Sequence, residues 1–193
     1  MERKYAWHNY DDATMEKVYA LSDTYRQFLD NGKTERECVV QAVEFAEAKG
    51  YVNLNDIIKS NTSIKAGDKI YYTHMDKSIA LFNIGTDDIE LGMNILGAHI
   101  DSPRIDVKQN PQYEDSNLVF WDTHYYGGIK KYHWVAMPLA IHGVVVKTDG
   151  TRININIGDK ESDPVFCITD LLPHLGQEQM QKNAAKVIEG EAL

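Results

Sequence analysis

Asn94-Ile95-Leu96-Gly97-Ala98-His99-Ile100-Asp101-Ser102-Pro103 is the stretch on which the reading of this chain turns. Its first seven residues form an apolar run without polar alternation, which predicts a strand covered on both faces, in the interior of a sheet flanked by helices. Pro103 would stop that strand and leave His99 and Asp101 at its carboxyl end, where open sheets place ligand sites. Side chains two apart on a strand share a face, so both would look into one cleft. A neutral imidazole is a good zinc ligand, and a carboxylate beside it fixes the ring and raises its basicity. The same pair also suits a satisfied histidine next to a turn aspartate, and the His-x-Asp spacing by itself leaves both readings open.

Upstream of this run the pattern is helices followed by strands. Val18, Leu21, Tyr25, Phe28 and Leu29 recur at helical spacing and predict a helix over 14–29, ended by Gly32. Thr34-Glu35-Arg36-Glu37 is a capping-box pattern that opens a second helix, with Val39, Val43 and Ala46 as its buried stripe and Gly50 as its C-terminal cap. Residues 69–74 and 78–84 are rich in β-branched and aromatic types, and Met75-Asp76-Lys77 between them is of hairpin length. After Pro103 the character changes. Residues 104–108, 118–123, 133–147 and 153–157 are strand-like, separated by turn signals at Asn110-Pro111, Gly127-Gly128 and Asp149-Gly150. A helix over 177–188 closes the chain, and Gly190-Glu191-Ala192-Leu193 offers no obvious terminating structure. The expected organisation is therefore two domains, 1–103 and 104–193, the first with helices on a mixed sheet and the second β-rich with a terminal helix.

With 193 residues, 43% of them hydrophobic, the chain can bury a core. A formal net charge of −9 repels phosphate backbones and anionic membrane surfaces, so no nucleic acid or membrane partner is expected. No apolar run is long enough to span a bilayer, and Met1-Glu2-Arg3-Lys4 leads into an acidic segment without an apolar signal region, so a soluble cytoplasmic protein is expected. Cys38 and Cys167 have no metal-type spacing and read as buried thiols. Asp11-Asp12 and Asp87-Asp88 read as solvated surface. His124, His133 and His142 read as packing or subunit-contact residues, and Gly127-Gly128 as a tight turn.

The longer string Gly-Ala-His-x-Asp-Ser-Pro, preceded by the run 79–84 and followed by Tyr126-Gly127-Gly128, closely resembles the aspartyl aminopeptidase and vacuolar aminopeptidase I family of dizinc peptidases. Tyr125-Tyr126-Gly127-Gly128-Ile129-Lys130-Lys131-Tyr132-His133-Trp134 and Pro138-Leu139-Ala140-Ile141-His142-Gly143-Val144 resemble its bacterial branch, and Leu171-Leu172-Pro173-His174-Leu175 its Pro-His-Leu segment. The resemblance covers nearly the whole chain in the family's order. It implies a mixed α/β fold, part of a zinc-aminopeptidase catalytic domain plus a β-rich dimerisation domain, and metal-dependent removal of amino-terminal residues from a peptide substrate. It implies that His99 is a zinc ligand, that Asp101 orients or tunes the metal, and that His174 reaches into a neighbouring subunit's site to bind substrate and stabilise the tetrahedral intermediate. A complete site would hold two zinc ions, although cobalt or manganese suits the same donors. A homodimer or larger homo-oligomer is implied as well.

A two-metal hydrolase needs about five or six protein ligands and a general base. Here only His99 is a good ligand, and no Glu-Glu pair of the kind the family uses for base and ligand occurs in the sequence. The expectation is an amino-terminal portion of a longer aminopeptidase, inactive alone, exposing a sheet edge and apolar faces. The competing reading is a non-catalytic assembly or dimerisation module derived from such an enzyme. A third, a deacylase sharing the His-x-Asp strand, is disfavoured by the downstream Gly-Gly and Pro-His-Leu segments.

Overall fold

The computed structural model describes residues 5–193; residues 1–4, on which part of the argument against a leader rests, lie outside the described residues. The chain divides into two compact units, Met1–Asp101 and Ser102–Leu193. Its class is mixed α/β, with helices and small sheets.

In the first unit, α1 (Asp12–Asn31) starts where Asp11 Oδ1 accepts a hydrogen bond from the Thr14 amide at 2.8 Å. Hydrogen bonding from Thr14, first from its side chain and then from its amide, holds the Asp11 carboxyl below its ordinary range, so within the exposed acidic pair Asp11 is the helix cap. The capping box opens α2 (Glu35–Ala48) as expected: Thr34 Oγ1 accepts from the Glu37 amide at 3.3 Å, and Glu37 Oε2 accepts from the Thr34 amide at 2.9 Å. Beyond α2, Gly50 takes φ +82°, the left-handed conformation that favours glycine after a helix end. β1 (Val52–Asn53), α3 (Leu54–Lys59), β2 (Lys69–His74) and β3 (Ser78–Asn83) follow. β1 pairs parallel with β2, and β2 antiparallel with β3, from Lys69 opposite Asn83 to His74 opposite Ser78. Met75 and Asp76 both have positive φ, the twist-matched geometry of a tight hairpin, and Arg36 Nη1 donates to the Met75 carbonyl at 2.7 Å, fastening the turn to α2.

The core of this unit is α2 laid on the sheet: Cys38, Val39 and Ala46 are buried with Ile70 and Tyr71 of β2. Val43, expected in the stripe, is half-buried, and Cys38 takes the deeper position. Tyr71 donates its hydroxyl to Glu47 Oε1 at 2.7 Å, and this bond together with burial pushes its pKa up. α1 contributes no buried residue; Leu21, Tyr25 and Leu29 of its expected apolar face are exposed. Residues 94–100 correct the sequence reading. They form no strand, Leu96 is 100% exposed and Ile95 79%. Their composition is that of an interior strand, but a strand is completed by the N–H and C=O groups of its neighbours, and none among the described residues pairs with them.

The second unit holds two hairpins. β4 (Arg104–Asp115) pairs with β5 (Leu118–Tyr126) through a turn at Ser116 and Asn117, both at positive φ. The Asn110-Pro111 signal, read as a turn, is instead a register irregularity between Val107 and Gln112 inside β4, because proline removes a ladder donor without having to end the strand. β6 (Ile141–Val146) pairs with β7 (Arg152–Ile157). Residues 133–140, expected as strand, carry only isolated bridges from Val135 to Ile168 and from Leu139 to Phe166. The expected terminal helix shrinks to α4 (Gln177–Met180) followed by turns; one turn without a buried face has little to hold it. The last residues, whose sequence offers no obvious terminating structure, wind into a 3-10 turn, Gly190–Ala192, and the Leu193 carbonyl accepts from Thr123 Oγ1 at 2.6 Å. Ile188 and Leu193 are the buried apolar side chains among the described residues of this unit. Cys167 corrects another expectation: it is exposed, standing between the two isolated bridges rather than in a covered strand.

Candidate metal centre

Geometry at His99 starts from two acceptors. Its Nδ1 lies 3.1 Å from Asp101 Oδ1 and 3.1 Å from the Asp101 backbone oxygen. Neither oxygen can donate when the carboxyl is ionised, so Nδ1 carries the proton and donates it, which in the neutral ring leaves the lone pair on Nε2. The His99 side chain is 85% exposed and that of Asp101 38%, so the oriented ring is open to solvent. The pairing arises without the strand that the sequence predicted.

Beside the pair is a cavity of about 290 Å³, to which Glu35 at the start of α2, Lys77 and Ser78 at the hairpin and Ala98 also contribute. The backbone beneath it is held in part by Cys38, whose thiol is 3.9 Å from the Ile100 carbonyl; burial, then the neighbouring carboxylates of Glu37 and Glu35, pushes that thiol's pKa up. Among the described residues no three His, Cys, Asp or Glu side chains come together as a metal-ligating group. The donor chemistry therefore fits zinc at one corner: an imidazole with a free lone pair, oriented by a carboxylate, in the arrangement typical of zinc-bound histidine.

His174 lies in the second unit, in a turn just before α4, with the Leu175 and Gly176 amides both donating to the Leu172 carbonyl at 2.9 Å. Asp170 anchors this turn, its Oδ1 accepting from the Leu171 amide at 2.8 Å and from Gln179 Nε2 at 2.9 Å. The ring of His174 is exposed.

Residues 28–193 match the family model of the aminopeptidase I zinc metalloproteases (M18). The chain belongs to this family. A probable M18 family aminopeptidase 1 of Clostridium acetobutylicum is 53% identical over 192 residues, covering 100% of this chain and 41% of that protein. The crystal structure of the M18 aminopeptidase of Thermotoga maritima has a TM-score of 0.88 at 44% identity, covering 100% of this chain and 41% of that one. That of aminopeptidase I from Clostridium acetobutylicum has a TM-score of 0.83 at 52% identity, covering 99% and 42%. The chain thus spans about two fifths of the length of the M18 relatives it matches. Among the described residues no helix is long and apolar enough to cross a membrane.

The sequence reading missed a second histidine-carboxylate pair. His142 on β6, its side chain only 10% exposed, has Nε2 3.2 Å from Asp159 Oδ1, and Asn156 Nδ2 donates to Asp159 Oδ2 at 3.0 Å. The signal was the hairpin register, which sets His142 opposite Asn156 and brings Asp159, three residues on, within reach.

Proposed function

We propose that this chain carries the amino-terminal share of a zinc aminopeptidase site that removes amino-terminal residues from peptides. His99 would hold zinc through Nε2, Asp101 would keep the ring in that tautomer, and the metal, when bound, supplies the Lewis acid that polarises the scissile carbonyl and activates water. A complete site with two zinc ions needs further ligands and a base, consistent with relatives more than twice as long. His174 is assigned to substrate binding and to holding the developing oxyanion in a neighbouring subunit, which makes the working form a homodimer or larger homo-oligomer. The observation that carries the proposal is the Nδ1 bond of His99 to Asp101, which leaves Nε2 of an exposed ring available to a metal.

The experiment joins this chain to the remainder of the Clostridium acetobutylicum relative and assays hydrolysis of aminoacyl para-nitroanilides with zinc. His99→Ala and His174→Ala should each be inactive, and co-refolding the two should restore about a quarter of the activity, because in half of the dimers one of two sites keeps both histidines. No recovery would remove His174 from the neighbouring site. The competing reading, a non-catalytic assembly module, draws support from the exposed apolar residues; it requires the joined protein to oligomerise yet show no metal-dependent hydrolysis.

A further inference from the structure

We infer that Asp170 is a positioning residue for His174: it closes the loop 170–179 through the side chain of Gln179 and so holds the backbone that carries the histidine in one conformation. The segment before the loop is fixed by the bridges of Phe166 and Ile168 to Leu139 and Val135. Beyond them the apolar neighbours of His174 give little packing, since Leu171, Leu172 and Leu175 are 55%, 67% and 74% exposed. The order of the loop therefore depends on its hydrogen bonds. Asp170 Oδ1 accepts from the Leu171 amide at 2.8 Å and from Gln179 Nε2, nine residues on, at 2.9 Å. An ionised acceptor makes both bonds of the stronger kind. Gly176 leaves room for the Gln179 side chain to make this link. It is buried, and a Cβ there would stand 3.0 Å from Gln179 Oε1 and 3.4 Å from the Leu172 carbonyl oxygen, the acceptor for the two amides that follow His174. Its φ of −96° is open to any residue, so the close approach, and not the backbone, calls for glycine.

The inference rests on the assignment of His174 to a neighbouring subunit's site, and its test separates the two. In the joined protein, Asp170→Ala and Gln179→Leu should each lower kcat about tenfold with KM within about twofold, and Gly176→Ala should act in the same direction. Asp170→Asn keeps the acceptor oxygen and should recover most of the loss. Co-refolded with His99→Ala, Asp170→Ala should reach about a quarter of wild-type activity, because the His99→Ala chain lends an intact loop to a site whose own residues are intact. With His174→Ala it should stay near about a twentieth. A chain that Asp170→Ala merely destabilised would recover in neither cross. Equal activity in the two crosses, or wild-type kcat in either Asp170→Ala or Gln179→Leu, overturns the inference and leaves His174 in place. Full activity in His174→Ala, or none in the joined wild type, removes the functional reading and the positioning role with it.

Discussion

At the scale of single residues, His99 and Asp101 work as a unit because both acceptors near Nδ1 belong to Asp101. Replacing the carboxylate by an amide keeps the shape and loses the charge that stabilises the tautomer. In the joined protein, Asp101→Asn should therefore lower zinc affinity about 10–100-fold, read by competition with a chelator, while circular dichroism is unchanged. The two thiols should also separate. Exposed Cys167 should react with a thiol reagent at neutral pH while buried Cys38 stays slow. Because burial raises the Cys38 pKa above its ordinary 9.0, the unfolded chain releases that proton first as the pH climbs. The contribution of the neutral thiol is thus fully present below about pH 9 and is lost as pH rises toward the folded value, which urea titrations at several alkaline pH values would detect in wild type and lose in Cys38→Ala.

At the scale of elements, the capping box at Thr34 fixes where α2 begins, and Thr34→Ala should cost about 1 kcal/mol in unfolding of the first unit by urea. That feature was legible because its chemistry is contained within four residues. So were the hairpin of β2 and β3 and the left-handed glycine after α2, each written in adjacent positions. The legible part ends where partners are distant. Residues 94–100 look like an interior strand from within, yet nothing local provides the ladder. The terminal helix has good helix formers over 177–188, but without a face to bury only Gln177–Met180 winds. His142 and Asp159 are 17 residues apart and meet only through the register of their hairpin. Of the candidate site, the oriented pair was readable from a two-residue spacing, whereas the cavity beside it depends on the start of α2 and the hairpin arriving at the same place.

At the scale of the whole molecule, few apolar side chains are buried among the described residues: five in the first unit and two in the second. A dye that binds exposed apolar surface should fluoresce strongly with this chain and lose most of that signal when the remainder of an M18 relative is present, at equal molar protein. The central claim concerns the metal, and zinc content of the joined protein with and without His99 tests it most directly. The account predicts two zinc ions per chain, with one lost or its affinity reduced by at least about 100-fold in His99→Ala. Full retention of both ions with unchanged affinity in His99→Ala would contradict it.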